Sequence, residues 1–229
     1  MQAAALKIQF ESVLGGHLDW QSRPEPERLP SGVAEVDRAI GGLPRGCLTE
    51  IYGPASSGRT SLLLSILAEA TARQEICALV DAEDALDPAS AAESGVNLAR
   101  LLWIRCGHSA EQALKAADLL IQGGGFGVVV MDLGDTAVES ARRISLTSWF
   151  RLRRAVEHTP AVLVTVGRQP YAKTCASLML ACNRDRAAWS GARASSRLLR
   201  GMDVRVTATR SNLLDRSKAC SPVFTAAAI

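Results

Sequence analysis

The sequence predicts an α/β fold, with a mainly parallel central sheet covered by helices on both faces. Three observations predict it. Strand-like runs such as "GVVVMD" and "AVLVTV" are apolar without alternation, as strands buried on both faces must be. They take turns with helix-like stretches, the order that builds a parallel sheet through helical crossovers. The stretch "CLTEIYGPASSGRTSLLL" runs from strand through a glycine-bounded loop into helix, the context of a phosphate-binding loop. At 229 residues and 48% hydrophobic, the chain can bury one sizeable core. With 4% aromatics, that core must be built from Leu, Val, Ile and Ala.

Taken in order, residues 1–30 read as an attached segment and residues 31–229 as the core. "LKIQFESVL" forms a short amphipathic helix through Leu6, Ile8, Phe10, Val13 and Leu14, which packs on a neighbouring subunit or folds back on its own domain. "RPEPERLP" carries three prolines in eight residues, which excludes helix and reads as an extended linker. "GVAEVDRAIGG" is a helix stopped by paired glycines. "CLTEIYG" is a strand, "TSLLLSILAEATAR" a helix apolar almost all round, "ICALVDAED" a strand ending in acids. "PASAAESG" reads as helix, "LLWIR" as strand, "SAEQALKAADLLIQ" as an amphipathic helix with Leu114, Ala117 and Ile121 on one face. "GVVVMDLGD" is a strand ending at Asp132, "RISLTSWFRLRRAVEHT" a helix, "AVLVTVGR" a buried strand. After Arg168 the period fades, until "MDVRVTATR" alternates like a strand with one exposed face and "SPVFTAAAI" offers it a partner.

No apolar run reaches the length of a membrane span, and the N-terminus lacks the layout of a secretory signal, so the expected compartment is the cytoplasm. The six cysteines, at 47, 77, 106, 175, 182 and 220, form no CxxC pair and read as structural thiols rather than disulfides or zinc ligands. Charge is uneven: residues 1–141 carry a net −9 and residues 142–218 a net +12. A basic half of this kind suits DNA, an acidic protein partner, or simply an Arg-rich solvated surface, since 22 of the 26 basic residues are Arg.

The phosphate loop "GPASSGRT" spans residues 53–60, with Arg59 where the usual pattern has lysine. Gly53 and Gly58 let successive N–H groups curl inward with Ser56 and Ser57, and the helix beginning near Thr60 and Ser61 adds its partial positive charge. Thr60 supplies a hydroxyl for Mg²⁺, and Asp132 supplies the acid at the end of a neighbouring strand. Arg59 keeps the charge but is longer and planar, so it suits binding of phosphate better than catalysis on it.

"LPRGCLTEIYGPASSGRTSLLLSILAEA", "CALVDAEDALDPASAAESGVNLARLLWIRC" and "SAEQALKAADLL" resemble the core of the RecA recombinases. The resemblance runs from about residue 31 to 215 and implies a RecA-like three-layer αβα fold that uses ATP and Mg²⁺. It implies that Glu83 polarises the attacking water and that Asp87 contacts the adenine edge. It also exposes departures. Ser90 stands where the family stacks a tyrosine on the base, and Ala55 replaces a loop glutamate. Gly167-Arg168 replace the Asn-Gln γ-phosphate sensor, with Gln169 one position late; a slip at the strand end would restore it. The segment after Asp132 is too short for the family's first DNA loop. These losses imply a weak ATPase at best.

Within that superfamily "LTEIYGPASSGRTSLL" resembles the ImuA family of bacterial accessory proteins. That resemblance implies a scaffold in SOS-induced translesion synthesis and mutagenesis. Its partners would be an inactive ImuB-like Y-family polymerase homologue, RecA, DNA and, indirectly, an error-prone C-family polymerase; homo-oligomers are also possible, and no membrane is involved. The competing readings are a DNA-dependent ATPase acting as a recombinase paralogue and, less favoured because the loop glycines and Thr60 are kept, a SulA-like division inhibitor. Arg184, Arg186, Arg193, Arg197 and Arg200, around Trp189, fall where the family's second DNA loop would lie and are the expected DNA contacts. Trp149, Phe150 and Arg153, among Arg142, Arg143, Arg151 and Arg154, suit a partner interface or stacked bases, or else an aromatic lies in the core.

Overall fold

A computed structural model describes residues 26–191, 197–211 and 221–227. The expected N-terminal helix at residues 6–14 and the first part of the linker lie outside them.

The chain starts as β1 (Arg28–Leu29), which pairs antiparallel with β2 (Leu43–Pro44) around α1 (Ala34–Ile40). The end of the proline-rich segment is therefore anchored rather than loose: Leu29 is fully buried, and Glu27 lies 3.6 Å from Arg45. Gly41, left-handed at φ 69°, ends α1, as the paired glycines predict. Three crossovers then follow the sequence pattern closely: β3 (Cys47–Tyr52), α2 (Arg59–Ala72), β4 (Cys77–Asp81), α3 (Pro88–Glu93), β5 (Leu101–Arg105), α4 (Ala110–Gly123) and β6 (Val128–Asp132). The helix expected over "RISLTSWFRLRRAVEHT" is α6 (Leu146–Val156), and a short helix that the sequence reading did not give, α5 (Val138–Arg142), precedes it. They are separated where the Ser145 hydroxyl accepts the Ser148 N–H and caps a new helix. β7 (Val162–Gly167) returns to the sheet.

The C-terminal third holds the element that the sequence pattern missed, β8 (Leu178–Ser190), followed by β9 (Leu198–Ser211) and β10 (Val223–Ala227). The sheet order is β10-β9-β8-β3-β7-β6-β4-β5. From β8 to β5 all neighbours are parallel, and β9 runs antiparallel to both β8 and β10.

The strands lack alternation because both faces are covered. In β6, Val128 and Val130 face the core under α1 and α2, while Val129 and Met131 face the core under α4 and α6. α2 contributes Leu62, Ile66 and Leu67, all fully buried; α4 and α6 contribute Ala113, Ala117, Leu152 and Val156. Burial pushes the thiols of Cys77 and Cys182 up to about 12, so they behave as small hydrophobes; none of the described cysteines is in a disulfide. No described helix is long and apolar enough to cross a membrane.

Candidate nucleotide and nucleic-acid sites

The phosphate loop leaves β3 and enters α2 as the sequence predicts. Its glycines answer two demands. Gly58 is left-handed at φ 88°, and a Cβ there would lie 2.3 Å from the Val204 side chain. A Cβ on Gly53 would lie 2.1 Å from the Cys182 carbonyl oxygen. The loop is thus pressed against β8 and β9, and only glycine allows that approach. Its amides, the start of α2 and the exposed Thr60 form the cradle that a polyphosphate requires, with Ser56 at the exposed crest and Ser61 partly covered. The Ser57 hydroxyl is buried in the loop without a hydrogen-bond partner, a polar atom that a phosphate oxygen or a water would satisfy. These residues fit a nucleotide.

Arg59 does not project into that cradle as a free cation. Its side chain is folded in, with the residue only 7% exposed, and Nη1 donates to the Gly134 carbonyl at 3.2 Å. Arg168 Nε donates to the same carbonyl at 3.2 Å, and its Nη2 lies 3.8 Å from Asp135. The Gly134 N–H in turn donates to Asp132 Oδ1 at 2.7 Å. One backbone unit after β6 therefore links the loop cation, the altered sensor arginine and the candidate Mg²⁺ ligand. Burial pushes the Asp132 carboxyl up to about 6, offset by the Gly134 N–H and by Arg59. A divalent cation beside Thr60 and Asp132 would favour the charged form.

At the end of β7, Gly167 pairs in register with Tyr52, so no slip brings Gln169 into the sensor place. Gln169 instead accepts from Arg142 at 3.2 Å. The space beside Gly167 is taken by the Tyr171 ring, which a Cβ would meet at 2.7 Å. Tyr171 is 5% exposed, held there because its N–H and that of Ala172 donate to the buried Glu50 carboxylate at 2.6 and 2.9 Å.

Glu83, the expected water-polarising acid, faces His108, with Oε2 and Nδ1 2.9 Å apart. Asp87 caps α3, accepting from the Ala89 and Ser90 N–H groups at 3.4 and 3.0 Å; its carboxyl is lowered, chiefly by the Ser90 hydroxyl. It stays exposed, so capping and contact with a base are compatible.

The expected DNA contacts fall in the C-terminal strands. Arg184 and Arg186 are on β8, Arg197 just precedes β9, and Arg200 is on it; Arg193 lies outside the described residues. Arg184, Arg186 and Arg200 thus lie on two antiparallel strands. Trp149 is corrected as an interface residue: at 1% exposure it fills the core between α4 and α6, leaving Phe150, 43% exposed, and Arg153 at the surface. Arg153 is turned toward Glu157 at 3.4 Å. His108, beside Glu83, and Tyr171, beside Gly167 and held by Glu50, are neighbours of the site that sequence reasoning missed; only Tyr171 had a signal, the glycine at 167, which vacates space that something must fill.

Residues 11–142 match the model of the RecA N-terminal domain. The chain belongs to the RecA family. It is 34% identical over 184 residues to the protein RecA of Rickettsia massiliae (strain Mtu5), covering 72% of this chain and 53% of that protein. To RecA of Methylococcus capsulatus (strain ATCC 33009 / NCIMB 11132 / Bath) it is 49% identical over 106 residues, 45% of this chain and 30% of the relative. The chain spans about half the length of the curated relatives that it matches most fully. The crystal structure of the RadB recombinase superposes with a TM-score of 0.64 over 86% of this chain and 94% of that one; at 16% identity this shows a shared RecA-like fold.

Proposed function

We propose that this RecA-family chain is an accessory protein of SOS-induced mutagenic translesion synthesis. It docks DNA and polymerase-complex partners, binds ATP with Mg²⁺, and hydrolyses it weakly. The observation that carries the reading is the redirected Arg59, whose Nη1 donates to the Gly134 carbonyl where the usual loop cation would meet a phosphate. The filled sensor position beside Gly167 supports it from the other side of the site. Phosphoryl transfer is accelerated by groups positioned on the developing charge, so removing two of them leaves binding ahead of turnover. The resemblance of the loop and its helix to ImuA supplies the partners: an inactive ImuB-like Y-family polymerase homologue, RecA and, indirectly, an error-prone C-family polymerase.

Two measurements test it. Steady-state and single-turnover ATP hydrolysis, with and without single-stranded DNA, should stay near background while a labelled ATP analogue still binds. A pull-down of the full chain against RecA, the Y-family homologue and the replicative clamp should retain the Y-family homologue. The second reading, a DNA-dependent ATPase acting as a recombinase paralogue, is favoured by the retained Thr60, Asp132 and Glu83. Rapid DNA-stimulated turnover without a polymerase partner would establish it instead.

A further inference from the structure

We propose that the ribbon of β8 and β9 seats its apolar end, Trp189 with Leu199, on the exposed base pair at a junction between single- and double-stranded DNA. The inference rests on the reading that the basic half binds DNA, and it names the DNA structure that is bound.

The ribbon outruns its sheet. β3 holds β8 only over Leu178–Ala181, and β10 holds β9 only over Gly201–Arg205. Beyond those limits Trp189 pairs with Leu199 and Ser190 with Leu198, with no third strand beside them among the described residues. A two-stranded ribbon is marginal by itself, and here its apolar side chains give it no core: Trp189 is 55% exposed, Leu198 63% and Leu199 41%. Irregularities in register at Arg184/Arg186 and Ala188/Trp189 re-aim the strand at both the basic and the aromatic positions.

Chemistry selects the ligand. Arg184, Arg186 and Arg200 are exposed near these apolar side chains and make no ion pair among the described residues, whereas the neighbouring Arg205 is held by Asp185 at 2.8 Å. Three unpaired guanidiniums suit phosphates. An indole facing a leucine across a ribbon about 5 Å between strands suits a flat apolar surface wider than one base. An unbroken duplex buries its base faces in the stack, and a lone strand offers one base at a time. A duplex terminus exposes a whole base pair, and a junction sets that flat surface beside the phosphates of both the duplex and the continuing single strand.

The test is a fluorescence-anisotropy titration of the full chain with a primer–template junction and with a single strand, each competed by covalently closed circular duplex. The expected result is roughly tenfold tighter binding to the junction than to either other DNA. Trp189→Ala should remove about tenfold at the junction and leave the closed-circle affinity unchanged, which also reports that the fold is intact; Trp189→Phe should retain most of the preference. Arg184→Ala/Arg186→Ala/Arg200→Ala should weaken all three DNAs and flatten the salt dependence. Equal binding to all three DNAs, or a junction affinity indifferent to Trp189→Ala, overturns the inference while leaving DNA binding standing. Loss of the Y-family homologue in the Trp189→Ala pull-down with junction binding intact overturns it in favour of a protein partner. No binding to any DNA removes the underlying reading as well.

Discussion

At the scale of single residues, substitutions that look isolated in the sequence are coupled in space. Gly167 and Tyr171 are one replacement: the ring occupies the place that any Cβ at 167 would enter, at 2.7 Å. Gly167→Ala should therefore destabilise the chain by about 1–3 kcal/mol, since overpacked cores cost that much. In the Tyr171→Ala background the same change should cost far less, and urea unfolding of the double-mutant cycle measures the difference. Arg59→Lys should not restore rapid ATP hydrolysis, because the sensor position stays filled; turnover at the level of an active recombinase would refute this. A shorter ammonium also leaves the Gly134 carbonyl with Arg168 alone. The loop's lettering announced a phosphate site from sequence, yet the side-chain direction of Arg59 depends on a carbonyl 75 positions away.

At the scale of elements, one buried carboxylate decides how β7 is joined to β8. Glu50, in the middle of β3 and 1% exposed, accepts the N–H groups of Tyr171 and Ala172. Burial raises its carboxyl above the usual range, and those backbone donors only partly offset the rise. The sign follows from linkage: a raised folded value contributes stability below the unfolded value near 4.5, and that stability is lost as pH rises through the raised value. Glu50→Gln, which keeps an acceptor without the charge, should flatten the decline in stability from acid to neutral pH. Glu50→Ala should lose about 1–3 kcal/mol, because two buried N–H groups lose their partner. Thermal unfolding across that pH range separates the two variants. β8 went unrecognised in the sequence for a related reason. Its first half is a short apolar run and its second half is polar and solvated, so no single period spans the strand.

At the scale of the whole molecule, the uneven charge acquires a shape. The acidic N-terminal part supplies the strands and helices around the loop, while the basic part includes β8 and β9, the ribbon that extends past the sheet. DNA affinity should fall steeply with salt, with a slope set by the number of phosphates held; an affinity indifferent to salt would contradict phosphate contact. Of the partner surface expected from the sequence, Phe150, Arg151 and Arg154 stay exposed while Trp149 closes the core beneath them.

The amino-acid order by itself determined the parallel sheet, its helical crossovers and the phosphate loop. Each is written in local terms: apolar runs, a period near 3.6, and glycines where the chain must turn left-handed. Tertiary structure alone decided where Arg59 points, what fills the space beside Gly167, and that Arg184, Arg186 and Arg200 lie on paired strands. Those outcomes depend on groups far apart in the chain meeting in a buried space, where an unpaired carbonyl or an empty volume is costly. Such demands leave no periodic mark in the sequence.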